Sequence, residues 1–153
     1  MATSNMAGKR VSLTLESTLE SVSSAEESAT RFAAGAGFDE DEIARISMAV
    51  REATINAVLH GNAYDPAKKV GFQVECTADS LVITITDQGR GLEPDKIPDP
   101  LAPENLLKQS GRGIFLIRAF MDEVQIRMLH PGTEIKLIKH VPGSTGDNKE
   151  ASQ

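Results

Sequence analysis

Tryptophan is absent from this 153-residue sequence, which holds one tyrosine, one cysteine and five phenylalanines. A core built from it has to be mainly aliphatic. The single cysteine, Cys76, excludes an intramolecular disulfide and a multi-cysteine zinc site, and reads as a small core residue. No apolar run approaches the roughly 18 residues of a membrane-spanning helix, and Met1–Arg10 lacks the apolar stretch of a secretory signal. The expected location is therefore the cytoplasm. Clustered positive charge is also missing: the net charge is −6 and the basic residues are dispersed, which leaves no electrostatic footprint for a nucleic-acid backbone.

What is present is ordinary for a globular domain, with 40% hydrophobic and 25% charged residues, so disorder of the whole chain is excluded. A chain of this size buries roughly two-thirds of its unfolded surface, and one domain over 10–140 is expected between tails at 1–9 and 141–153 that carry little periodic pattern. Arg10–Leu15 alternates as a strand. Ser17-Thr18-Leu19-Glu20 has capping-box spacing ahead of a helix to about Ala34, closed by Gly35 and Gly37. Asp39 with Glu42, and Phe38 with Ile43, carry cap and staple spacing for a second helix to about His60, with Gly61 as its stop. Ile43, Ile46, Val50, Ala53 and Ala57 form its apolar stripe. Val70–Cys76 and Leu81–Thr86 read as a hairpin, and Glu123–His130 with Thr133–His140 as another around Pro131-Gly132. Between the hairpins lies a long proline-bearing loop, then a helix near Gly113–Met121. The pattern predicts an α+β two-layer sandwich, a mixed and mostly antiparallel sheet with helices on one face.

Three pieces of this pattern can carry chemistry. Glu52 and Asn56 lie one helical turn apart and off the apolar stripe, so a proton-accepting carboxylate and a hard amide oxygen suited to magnesium share a face. The plain alternative is a solvated helix face. Asp87-Gln88-Gly89-Arg90-Gly91 follows a buried strand. There an aspartate can accept from the exocyclic amine of adenine, and glycines allow close backbone approach, although an Asp-plus-Gly turn accounts for the same residues. Gly111-Arg112-Gly113 stands just ahead of a helix beginning near Ile114, where free N–H groups and the helix dipole suit a phosphate; a loop terminator is the alternative. An acidic protein can bind a triphosphate in this way, since backbone amides and a metal ion neutralise it.

In order and spacing these pieces resemble a known family. The run Glu52-Ala53-Thr54-Ile55-Asn56-Ala57-Val58-Leu59-His60-Gly61-Asn62 looks like the N box of the GHKL superfamily of ATPases and kinases. Asp87–Gly91 resembles its first glycine box, Gly111–Ile117 its second, and Gly132-Thr133 its late threonine motif. Within that superfamily the sequence is most similar to the anti-sigma-factor serine kinases of bacterial partner-switching systems, over roughly residues 10–140. The resemblance implies ATP and Mg2+ as cofactors and an ATP lid at 88–110. It implies Glu52 as the base for a serine or threonine hydroxyl, Asn56 as magnesium ligand, Asp87 as adenine holder, and Gly89 and Gly91 as shapers of its pocket. It further implies Gly111 to Gly113 closing on phosphates, Arg112 as a phosphate contact or else a solvated arginine, and Thr133 supporting adenine through its hydroxyl. His60 reads as a histidine packed at the helix end.

The expected activity is ATP-dependent phosphorylation of an antagonist protein, with a sigma factor as a further partner and a homodimer as the assembly, but no direct nucleic acid and no membrane. Two alternatives stand beside it. One is a nucleotide-gated binding module that sequesters a sigma factor without kinase activity; the other is an ATPase of the same superfamily in which Glu52 activates water. A histidine kinase is disfavoured, because no histidine precedes Asp39.

Overall fold

Stretches of alternating apolar and polar residues become strands, because successive strand residues point to opposite faces. They are β1 (Arg10–Glu16), β2 (Lys69–Cys76), β3 (Ser80–Thr86), β4 (Glu123–Met128) and β5 (Thr133–His140). The computed structural model describes residues 6–89 and 109–143, with the backbone alone at 109–112. The strands form one sheet in the order β1-β2-β3-β5-β4, and every neighbouring pair is antiparallel. The expected mixed sheet is thereby corrected. Had the last hairpin docked through β4, it would run parallel to β3; docking through β5 instead, with Ile83 opposite Leu137, keeps every ladder antiparallel.

One face of the sheet is apolar and covered. Val70, Phe72, Val74, Leu81, Ile83, Ile85 and Leu137 are buried there, in one cluster with Ala29, Phe32, Ile46, Val50, Ala53 and Ile117 from the helices. The opposite face carries Gln73, Thr84 and Lys136 in register with one another. The helices are α1 (Glu20–Gly35), α2 (Glu40–Ile55) and α3 (Gln109–Phe120), and the result is the two-layer α+β sandwich expected from the sequence. Cys76 is buried at the end of β2.

The helix starts differ in how they are made. At α2 the Asp39 side chain accepts from the Glu42 N–H at 2.8 Å, a cap worth about 1 kcal/mol, and Phe38 and Ile43 both pack into the core as a staple requires. At α1 the capping-box spacing is not used. The N-cap residue is Leu19 and no side chain caps the helix. The Ser17 hydroxyl donates instead to the Lys68 carbonyl, and the Ser21 hydroxyl to the Glu16 carbonyl. Lys139 of β5 lies 3.2 Å from Glu42 and 3.7 Å from Asp122, so the first turn of α2 is pinned to the far side of the sheet. Residues 6–9, taken as tail from composition, dock on β2: Met6 packs against the core and the Gly8 N–H donates to the Cys76 carbonyl. Val141 is likewise buried, with its N–H on the Asp79 carbonyl.

Candidate functional site

The cap at Asp39 fixes the phase of α2, which turns Ile46, Val50 and Ala53 inward and leaves Glu52 and Asn56 on the flank, both half-buried. Beyond Ile55 the helix widens. Asn56–Gly61 is a π-helical turn, continued by the Asn62 N–H donating to the Ala57 carbonyl five residues back. The uniform helix expected to His60 is corrected in this turn, a form found mostly at functional sites. His60 is exposed, not packed.

Helix α3 meets that flank at Gly113. A Cβ built on this buried glycine would stand 3.0 Å from Glu52 Oε1 and 3.7 Å and 3.8 Å from Asn56 Nδ2 and Oδ1. A residue without a side chain is what allows so close an approach. The helix begins at Gln109, so Gly111 and Gly113 lie within it, not ahead of a start near Ile114. Glycine costs a helix only about 1 kcal/mol relative to alanine, which the packing of α3 on α2 offsets. The N–H groups without a partner inside the helix consequently include those of Gln109, Ser110 and Gly111. Gly113 contributes closeness to Glu52 instead.

At the other end of the π turn stands Asp87, 7% exposed, just beyond β3. Its Oδ1 accepts from the Gly89 N–H at 2.9 Å and the Thr133 N–H at 3.2 Å, while its own N–H donates to the Thr133 carbonyl at 3.0 Å. Among the described residues Oδ2 accepts no hydrogen bond. Burial raises the Asp87 pKa above the usual carboxylate value, opposed by the Gly89 and Thr133 amides and by the charge of Lys68. Three glycines are tightly packed in and around this turn, one of them against the carboxylate. A Cβ on Gly61 would strike the carboxylate itself, one on Gly132 the Asp87 carbonyl, and one on Gly89 the Gly61 carbonyl. Gly132 also has φ +102°, which other residues seldom adopt.

The helical body of α2 and its π turn thus brings Glu52, Asn56 and Gly113 together at one station and Asp87, Gly89 and Thr133 at the next. Thr133 reaches Asp87 through its backbone, and the hydroxyl contact expected of it is with adenine. Gly91 and most of the expected lid, residues 90–108, lie outside the described residues, and Arg112 is placed by its backbone alone. Sequence reasoning missed Asn62, which is 1% exposed, and the crowding role of Gly61 and Gly132. Nothing in the spacing marks Asn62, because an asparagine after a helix-ending glycine reads as an ordinary stop. Gly132 was legible as a turn residue and as part of the late threonine motif, not as a close neighbour of Asp87.

The family profile that matches is described as a histidine kinase-like ATPase domain and covers residues 15–139. An anti-sigma F factor of Anoxybacillus flavithermus is 38% identical over 109 residues, 68% of this chain and 73% of the relative. A serine-protein kinase RsbW of Halalkalibacterium halodurans is 32% identical over 119 residues, 74% of this chain and 72% of the relative. Among solved structures, the RsbU and RsbW domains of a Mycobacterium tuberculosis protein superpose with TM-score 0.63 at 21% identity, over 88% of this chain and 33% of that one. At that identity the likeness concerns the fold.

Proposed function

We propose, for a chain that belongs to the histidine kinase-like ATPase domain family, that it is an ATP- and magnesium-dependent serine/threonine protein kinase of anti-sigma-factor type, acting in the cytoplasm on an antagonist protein. The observation that carries this reading is the contact at Gly113, where the first turns of α3 abut Glu52 and Asn56 while Asp87 closes the same helical body at its other end.

Each group has chemistry suited to one part of a nucleotide. Asp87 Oδ2, left open while two amides hold Oδ1, accepts from the exocyclic amine of adenine. The unpaired N–H groups at the start of α3 face phosphate oxygens. Asn56 Oδ1 is a hard oxygen that would hold magnesium, and the ion would supply neutralisation of the charge developing in transfer. Among the described residues no group of three or more His, Cys, Asp or Glu side chains could hold a metal, and Asn56 is the residue that would hold the ion beside the nucleotide. Glu52 accepts the proton of the partner's hydroxyl as the γ-phosphoryl group passes to that oxygen and ADP leaves. Supporting the same reading are relatives bearing the names serine-protein kinase and anti-sigma factor. In this reading the antagonist is the phosphate acceptor, a sigma factor is the sequestered partner, and the kinase works as a homodimer.

The test is Glu52→Ala, incubated with labelled ATP and candidate antagonists. ATP binding is retained and phosphotransfer lost; full transfer by the variant removes Glu52 as base. The name anti-sigma F factor carried by the relative at 38% identity favours a second reading, a nucleotide-gated sequestering module. Wild-type protein that binds ATP and a sigma factor yet phosphorylates no antagonist would establish that alternative.

A further inference from the structure

Asn62 is the one polar residue among the largest fully buried side chains of the described residues. Its amide joins three separate segments. Nδ2 donates to the Ser17 hydroxyl at 2.9 Å and to the Lys69 carbonyl at 3.0 Å, while Oδ1 accepts from the Gln88 N–H at 2.8 Å. Gln88 returns the link, its Oε1 accepting from the Lys69 N–H at 2.7 Å. The same Ser17 hydroxyl donates to the Lys68 carbonyl. The peptide that leaves Asp87 is therefore clasped to the first residue of β2 and to the turn between β1 and α1. Without the amide, the Gln88 N–H and the Lys69 carbonyl lose these partners in a partly buried place, which costs part of their desolvation.

We propose that Asn62 is a positioning residue for base recognition: acting through the Gln88 N–H, it holds the Asp87 carboxylate on its mark without touching the nucleotide. The inference rests on the assignment of Asp87 to the adenine amine made above. Gly61, next to Asn62, forms the wall against which that carboxylate lies. One dipeptide thus supplies both the wall and the clasp.

The test is equilibrium binding of ATP and of inosine triphosphate, both with magnesium, to wild type, Asn62→Ala, Ser17→Ala and Gln88→Ala. Inosine triphosphate has the same phosphates but a carbonyl in place of the amine, so the ratio of the two dissociation constants reads the aim of Asp87. Loss of folded protein or of phosphate grip cancels in that ratio. Wild type favours ATP by about a hundredfold or more, as a site built to hydrogen-bond one group rejects its analogue. Asn62→Ala lowers the ratio about tenfold, and Ser17→Ala and Gln88→Ala each about threefold. An unchanged ratio in folded Asn62→Ala overturns the proposal. If that variant does not fold, unchanged ratios in both others overturn it. Wild type that binds no ATP sinks the kinase reading along with this one, whereas wild type that discriminates alongside variants that discriminate equally well sinks the role of Asn62 alone.

Discussion

Replacing Gly113 with alanine sets stability and chemistry in opposite directions, and the structure supplies both magnitudes. Glycine inside α3 sacrifices about 1 kcal/mol of helix propensity relative to alanine. The new Cβ would stand 3.0 Å from Glu52 Oε1, so that neighbour has to give by a few tenths of an ångström, while the 3.7 Å and 3.8 Å contacts with Asn56 are ordinary. Glu52 is half-buried and its carboxylate is the far end of a flexible side chain, so the displacement costs less than the propensity gained. The net expectation is a gain of about 0.5 kcal/mol, a rise of about 1–2 °C in Tm for a domain of this size. Phosphotransfer moves the other way. A misplacement of about 1 Å can cost ~100-fold in rate, so a few tenths of that displacement cost about tenfold. Nucleotide affinity, which depends on Asp87 and Asn56, stays within about twofold. Thermal unfolding, ATP titration and single-turnover transfer on one preparation decide the matter. A variant with raised Tm and full transfer rate would refute the placement of Glu52 at the reacting centre, and a Tm lowered by many degrees would refute the packing argument.

Asp87→Asn should bind ATP much more weakly at neutral pH, and its stability should carry a pH signature. Burial leads the causes that raise the Asp87 pKa in the folded protein, so its contribution is fully present below the unfolded carboxylate pKa, declines as pH rises between the two values and is gone above the folded one. Relative to wild type the variant therefore gains thermal stability on going from about pH 3 to pH 7; a difference that stays flat over that range would show that burial does not dominate. Asn56→Ala should lose most of the magnesium-dependent gain in ATP affinity, about tenfold, with magnesium-free binding unchanged. Equal gains in the two proteins, measured by titration with and without the ion, would remove Asn56 from the metal. Asp39→Ala should cost about 1 kcal/mol in urea unfolding through its lost cap, and no change in midpoint would mean the 2.8 Å bond to Glu42 contributes nothing.

The elements most legible in the sequence were those with two local signals in agreement. Helix α2 had a cap, a staple and a four-residue stripe, and all three are in place. The strands had period-two alternation, and their bounds differ from expectation by at most one residue except at β4, which stops at Met128, short of the positive φ of His130. What failed were inferences in which a distant partner outbids a local one. Ser17 has the spacing of a helix cap, yet its hydroxyl is taken by Lys68 and Asn62, far along the chain. Glycines at 111 and 113 read as lying ahead of a helix, but α3 includes both, and Gly113 stands against α2. The antiparallel docking of β5 on β3 depends on pairing across the intervening α3 and β4, which no local pattern encodes. At the site, Glu52, Asn56 and Asp87 were visible as side chains of the right type at the right spacing. The glycines that crowd them are defined by space, and their measure exists only in three dimensions.

That crowding separates the two stations of the site. Around Asp87 the hydrogen bonds from the Gly89 and Thr133 N–H groups and, one residue on, from the Gln88 N–H to Asn62 are all made within the protein, and backbone atoms of Gly61 and Gly132 stand close by. Backbone cannot change rotamer, so the carboxylate is aimed before any ligand arrives and little ordering entropy is left to lose on binding. Around Glu52 and Asn56 the balance is reversed, since among the described residues neither side chain makes a side-chain hydrogen bond and the neighbour is a helix held by packing. Their hydrogen-bonding capacity remains available to ligands. Such a division suits phosphoryl transfer to a protein, in which the base must be recognised identically in every cycle while the reacting groups must admit a phosphate, an ion and then a partner's hydroxyl. The π turn from Asn56 to Gly61 spans the distance between the rigid end and the adaptable one, and its first and last residues belong to one station each.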